Sequence, residues 1–214
     1  MVLESIHSVL HQTNHHIEVI IVDNLSTDNT LQQLKQLSDS RIKIITEPHL
    51  GASYARNTGI RNSSGNILAF LDSDDLWLPE KLELQLSLLK NNHMLFTEYR
   101  EFTANDKQLL PHRNKLNSSM SLSLITLMIQ KDDFLEVGYF DESLKVGEFM
   151  EWYSRARALG LQTQILDKTL ALRRIHAGNA STILSRKDYA IACHTILSKR
   201  RTRESENKTI KASD

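Results

Sequence analysis

Three carboxylates fall within four residues at Asp72-Ser73-Asp74-Asp75, directly after the apolar run Ile67 to Leu71. Held together they repel one another unless a cation or solvent relieves them. Asp72 and Asp74, separated by one residue, can hold a hard divalent ion such as Mn²⁺ or Mg²⁺. Such an ion prefers oxygen ligands and keeps positions open for phosphate. The same residues also read as an acidic turn in which Asp75 caps the next helix. His7 and His11 share one helix face, but they lack an adjacent Glu and have polar neighbours, which fits a solvated face better than a zinc site.

The surrounding elements decide whether an acidic turn can work as a site. Leu3, Ile6, Val9 and Leu10 recur at helical spacing over residues 3 to 12. Glu18 to Asp23 is a short β-branched run, the pattern of a strand buried on both faces. Ser26-Thr27-Asp28 offers cap residues for a helix carrying Leu31, Leu34 and Leu37. Arg41 to Thr46 reads as a strand, the segment around Tyr54 to Ile60 as a helix, and Asn66 to Leu71 as the strand that ends in the acidic turn. A helix opens at Pro79. This alternation indicates α/β architecture: a mostly parallel central sheet, helices on both faces, and strand ends that open into a ligand crevice.

Farther along, Met94 to Glu101 reads as a strand, residues 103 to 119 as a loop and Leu124 to Gln130 as a strand. Asp132 to Val137 and Glu148 to Leu159 read as helices, each followed by a glycine. Gln162 to Leu166 and Thr169 to Ile175 read as two strands. One domain is expected over residues 1–186, and a C-terminal helix with a basic, polar tail over 187–214.

Composition narrows the function classes. Lys plus Arg equals Asp plus Glu, at 26 each, so no net field draws the chain onto nucleic acid or an anionic bilayer. Cys193 is the single cysteine, which excludes an internal disulfide and a cysteine-only metal site and fits a cytoplasmic chain. No stretch approaches the ~18 apolar residues that span a bilayer. Met1-Val2-Leu3-Glu4 does not read as a secretory leader. The expectation is a soluble protein, or one peripheral at the inner face of the membrane, with Lys199-Arg200-Arg201-Thr202-Arg203 as the weak, salt-sensitive contact.

Several ordered motifs resemble one family. Val22-Asp23-Asn24-Leu25-Ser26-Thr27-Asp28-Asn29-Thr30, Gly51-Ala52-Ser53-Tyr54-Ala55-Arg56-Asn57-Thr58-Gly59-Ile60, and Ala69 to Leu82 with Leu71-Asp72-Ser73-Asp74-Asp75 at its centre are similar to the family 2 glycosyltransferases of the GT-A fold. Phe140-Asp141-Glu142-Ser143-Leu144 and Gly147-Glu148 with Glu151-Trp152 are similar to that family's later segment. The resemblance runs from about residue 3 to about residue 181. It implies a sugar moved from a nucleotide-diphosphate sugar to a sugar or lipid-linked acceptor, with a divalent metal bridging the donor's diphosphate.

Carried over position by position, the resemblance makes Asp74 the metal-binding aspartate and puts Asp72 near the ribose or the ion. Asp23 and Asn24 stand where the family usually has two aspartates that meet the nucleoside base. An amide both donates and accepts, which changes what that second position offers. Gly51 and Arg56 flank the donor; Arg56 faces the diphosphate or pairs with a nearby carboxylate. Inverting transfer needs a carboxylate to take the acceptor hydroxyl's proton. Glu148 is that candidate base, or a helix-start carboxylate favoured by the macrodipole. The family commonly shows Glu-Asp here, and this chain has Glu148-Phe149, so Glu151, one turn on, is the second candidate. His176 resembles a late histidine that approaches the metal or diphosphate. Trp77 and Trp152 would stack on a sugar ring or pack the core.

The family also opens with a hydrophobic strand and a turn ahead of the segment matching Leu3 to Thr13, and the expectation is that this N-terminal strand is missing. Val19 to Asp23 and Asn66 to Leu71 would then lack a shared neighbour. Three functions stay open at this point: a metal-dependent glycosyltransferase, an inactive relative or fragment that binds a nucleotide or a partner, and another nucleotide-binding enzyme such as a nucleotidyltransferase. The absence of Gly-x-x-x-x-Gly-Lys-Ser/Thr and Gly-x-Gly-x-x-Gly disfavours phosphate-cradle NTPases and dinucleotide oxidoreductases.

Overall fold

The computed structural model describes residues 1–103, 109–110, 122–178, 194–196 and 198. The expected 103–119 loop and 187–214 helix and tail, including Lys199 to Arg203, lie almost wholly outside them. The elements are α1 (Val2–Leu10), β1 (Val19–Asp23), α2 (Thr30–Leu34), β2 (Ile42–Thr46), α3 (Ala52–Arg61), β3 (Ile67–Ala69), β4 (Leu76–Trp77), α4 (Lys81–Leu88), β5 (His93–Thr103), β6 (Met128–Gln130), α5 (Lys131–Val137), α6 (Glu148–Ala158) and β7 (Gln162–Ile175).

The strands form two sheets. β1 pairs in parallel with β2, Val19 opposite Ile42, and the other five lie in the order β3-β6-β5-β7-β4. The expected mostly parallel sheet is corrected here. Within the five-stranded sheet only β5 and β7 pair in parallel; β3–β6, β6–β5 and β7–β4 are antiparallel. β3, β5 and β7 do run the same way, as crossover connections require. The crossover through α4 leaves a one-strand gap between β3 and β5, and β6 fills it from the second half of the chain, running the opposite way. β1 and β3 share no strand neighbour among the described residues. Glu18 links them instead, accepting from the N–H groups of Ser64 and Gly65 at 2.6 Å each.

Alternate residues feed two cores, because successive side chains of a strand point to opposite faces. Leu68, Met94, Phe96 and Ile129 join Ile60 of α3, Phe134 of α5 and Phe149, Trp152 and Ala156 of α6. Ile67, Ala69, Met128 and Ala171 join Val9 of α1 and Leu82 of α4. Helices therefore cover both faces, as expected.

Three local expectations change. Leu124–Thr126 is a 3₁₀ turn, because Ser123 O accepts from both Thr126 N and Thr126 Oγ1 and draws the backbone away from the ladder. The two C-terminal strands are one, β7, whose register against β5 shifts at Thr97/Glu98 so that Asp167 and Lys168 lie between the two paired stretches. Asp75 caps no helix: α4 has Glu80 at its N-cap.

Candidate functional site

β3 leads into the acidic turn, which closes through Asp75 N donating to Asp72 O at 3.1 Å. Asp75 is 4% exposed, and its carboxylate accepts from Arg174 N at 2.7 Å. Burial pushes its carboxyl up to about 8; the Arg174 N–H works against that, and the charges of Asp74 and Asp72 add to it. Asp75 is thus an inward-facing member of the turn.

Asp74 Oδ2 stands 2.9 Å from His176 Nε2, just beyond the end of β7. Gly178 N donates to His176 Nδ1 at 3.0 Å. Nδ1 is therefore the acceptor, and Nε2 carries the proton and donates to Asp74 Oδ2. A divalent ion at Nε2 would replace that proton. Among the described residues no three His, Cys, Asp or Glu side chains converge as a complete metal cage. An Asp–His pair with Asp72 two residues away fits an ion completed by phosphate oxygens and water, the usual habit of Mg²⁺ and Mn²⁺.

Arg56 joins the turn to α6. From α3 its Nη2 donates to Asp72 Oδ1 at 2.8 Å, and its Nη1 donates to Glu148 Oε1. The side chains of Arg56 and Glu148 are 18% and 14% exposed, against 46% for Asp72. Gly147, at φ 77 in the left-handed region that favours glycine, turns the chain so that Glu148 starts α6. The next residue, Phe149, packs in the core against Phe96 and Tyr153.

Asp23 ends β1 at 6% exposure, and its Oδ1 has no hydrogen-bond partner among the described residues. A buried acceptor left open in this way suits a ligand N–H or O–H. Asn24 is committed to the loop that follows β2. Its Nδ2 donates to Glu47 O at 3.0 Å and His49 O at 2.8 Å, and its Oδ1 accepts from Gly51 N at 2.8 Å. Gly51 holds φ 146, and a Cβ there would also come within 3.3 Å of Tyr54. Glu47 completes the loop. Thr58 Oγ1 donates to it at 2.5 Å and His49 N at 2.8 Å, and these bonds hold its carboxyl down at about 2.

The structure separates Glu151 from Glu148. Glu151 is 2% exposed, and both its oxygens accept from Arg155 Nε, at 3.1 and 2.9 Å. Arg155 donates onward to Val137 O and Tyr139 O. Trp77 and Trp152 are both buried, donating to Ile125 O and Gly138 O, so they serve the core. His7 and His11 are exposed beside a cavity of about 310 Å³ that shares no residue with the acidic turn. Sequence reasoning missed Glu47, Ser5 and Arg174. For Glu47 a signal existed, since it follows β2 as Asp23 ends β1.

Residues 1–144 match the model of the family described as glycosyl transferase family 2. The chain is 39% identical over 136 residues to the UDP-Glc:alpha-D-GlcNAc-diphosphoundecaprenol beta-1,3-glucosyltransferase WfgD of Escherichia coli, covering 59% of this chain and 54% of WfgD. It is 31% identical over 210 residues to the uncharacterized glycosyltransferase RC0461 of Rickettsia conorii, covering 92% of this chain and 34% of that protein. The chain thus spans about half of one relative and about a third of the other. The fold matches a crystal structure of S. aureus TarS in complex with UDP-GlcNAc, with a TM-score of 0.73 at 23% identity over 91% of this chain and 61% of that one. With a GT-A fold and a family match across most of its length, the chain belongs to glycosyl transferase family 2.

Proposed function

We propose that this chain transfers a sugar from a nucleotide-diphosphate sugar to an acceptor hydroxyl, with inversion and with a divalent cation, in the synthesis of a cell-surface polysaccharide or glycoconjugate. The observation that carries this reading is Arg56, which ties Asp72 of the acidic turn to Glu148 at the start of α6. One side of the cluster suits a diphosphate donor and the other suits an acceptor's proton. WfgD is named for action on a diphosphoundecaprenol-linked sugar, which favours a lipid-linked acceptor here too.

In this reading Asp23 offers its open Oδ1 to the nucleoside, while Asn24 and Gly51 fix the loop beside it. Asp74 and His176, with Asp72 beside them and phosphate oxygens and water completing the shell, would hold Mn²⁺ or Mg²⁺, which would supply charge neutralisation to the diphosphate. Glu148 takes the proton from the acceptor hydroxyl as that oxygen attacks the anomeric carbon. The bond from that carbon to the diphosphate oxygen breaks, and the nucleoside diphosphate leaves with the electron pair. Arg56, freed from the carboxylates, is placed to meet the departing charge.

Calorimetric titration of UDP, GDP, CDP and dTDP with Mn²⁺ and with EDTA tests the reading, followed by assay of sugar release. One diphosphate should bind with Mn²⁺ and fail to bind in EDTA. Equal binding in EDTA would remove the cation from the account. Tight binding without sugar release from the matching donor would leave a nucleotide-binding relative instead.

A further inference from the structure

Each backbone carbonyl of Ser73, Asp74 and Asp75 meets a side chain from a distant element. The Ser5 hydroxyl, on α1, lies 2.9 Å from Ser73 O and 2.6 Å from Asp75 O. Arg174 Nε, on β7, donates to Asp74 O at 2.7 Å. Arg174 also gives its backbone N–H to Asp75 Oδ1, and its Nη2 donates to Glu4 Oε2 at 2.6 Å. Its guanidinium lies 4.7 Å over the Phe102 ring, and the side chain is 3% exposed. A cation buried this deeply requires such partners, so its placement is costly unless all are kept.

The contacts act on the main chain of the turn, not on the outward carboxylates. Arg174 fixes the Asp74 carbonyl, and the one Ser5 hydroxyl proton is shared between the carbonyls on either side, which together restrain the peptide planes and so the direction in which the Asp74 side chain leaves the backbone. Arg174 stands two residues before His176 on the same strand end. It therefore ties the Asp74 backbone to the strand that supplies Asp74's imidazole partner, and the 2.9 Å Asp74–His176 spacing follows from that register.

We infer that Arg174, assisted by Ser5, is a positioning residue for the cation-binding turn: it sets where the Asp74 carboxylate stands without touching ion or donor. The inference rests on the function proposed above.

The test is Mn²⁺ binding by the full chain in the presence of whichever of UDP, GDP, CDP and dTDP it binds, followed by electron paramagnetic resonance, with thermal melting in parallel. Arg174→Met should weaken Mn²⁺ binding by about tenfold or more and alter the Mn²⁺ spectrum, because a charge-assisted bond to the turn is lost. Arg174→Lys should restore part of the affinity, since an ammonium can still donate to Asp74 O. Ser5→Ala, which removes only a hydroxyl, should weaken binding by about threefold and carries the test should Arg174→Met not fold. Folded variants that melt lower yet keep the affinity and spectrum of the unaltered chain would reduce Arg174 to a structural contact and overturn the inference. If the unaltered chain takes no Mn²⁺ with any of the four diphosphates, the proposed function fails and the inference falls with it.

Discussion

Glu148 and Glu151 stand one turn apart on α6 and are held by different arginines. Glu148 accepts from Arg56, which arrives from α3, while Glu151 is enclosed with Arg155 of its own helix. Two carboxylates that look interchangeable in sequence therefore sit in separate ion pairs.

Glu148→Gln should lower turnover by about 100- to 10,000-fold, the usual cost of removing a general base, with the fold intact. Glu151→Ala should instead cost about 3–5 kcal/mol of stability, because it leaves Arg155 buried without its counter-charge. Urea denaturation and a sugar-release assay on both variants separate the two. A stable Glu151→Ala protein that has lost turnover would reverse the assignment.

Asn24→Asp restores the residue type common at this position, yet it should damage this chain. A carboxylate cannot donate to Glu47 O and His49 O, and it would stand close to both. The expected loss is about 1–3 kcal/mol. Hydrogen exchange should rise at Gly51, whose N–H is held by Asn24 Oδ1. Unchanged protection there would show that the loop does not depend on the amide.

Lys81 gives the protein a built-in pH response. It is fully buried, bonded to Gln85 Oε1 at 2.7 Å and 4.1 Å over the Trp77 ring, and burial pulls its ammonium down from 10.5 to about 7. Between those values the unfolded chain binds the proton more strongly than the folded one does. Stability from this group should therefore rise from about pH 7 toward pH 10.5, by at most about 1.4 kcal/mol per pH unit. Lys81→Met should flatten that slope. Denaturation midpoints compared across the alkaline range would decide it, and parallel slopes would exclude Lys81 as the source.

The separate β1–β2 sheet leads to a fourth expectation. Among the described residues β1 has an unpaired edge away from β2, and β3 has one away from β6. Open edges of this kind are costly and prone to pairing. Fusing a β-branched strand and turn ahead of Met1 should raise the melting temperature, and on the proposed function it should also tighten UDP binding. No change in either would mean that these edges need no partner.

Much of this was legible from residue patterns. Val19 to Asp23 and Ile42 to Thr46 carry enough β-branched residues to declare themselves, and Asp72 to Asp75 marks a strand end by its charge. The direction of β6 was not legible: a strand of only three residues, Met128–Gln130, carries no pattern that tells forwards from backwards, and pairing is decided by where the chain returns. Nor were Ser5 and Arg174 visible as site residues. The apolar period of α1 drew attention to Ile6 and Val9, while Ser5 and Gln12 form a buried polar stripe that grips the 73–78 backbone and Leu82 N. Leu25 likewise gave no sign of its φ of 62, a conformation that costs a leucine about 1–2 kcal/mol.

The place of β6 also bears on how the protein is made. It lies between β3 and β5, yet a ribosome delivers it after both, and β7, with Arg174 and His176, emerges last of the described strands. A growing chain therefore displays Asp72 and Asp74 well before it owns Arg174, the donor to Asp74 O, or the imidazole that meets Asp74. Long-range pairing of this kind is slow to form. On the proposed function, a cation and nucleotide would bind only chains whose β7 has docked, and so would stabilise finished molecules over unfinished ones during synthesis.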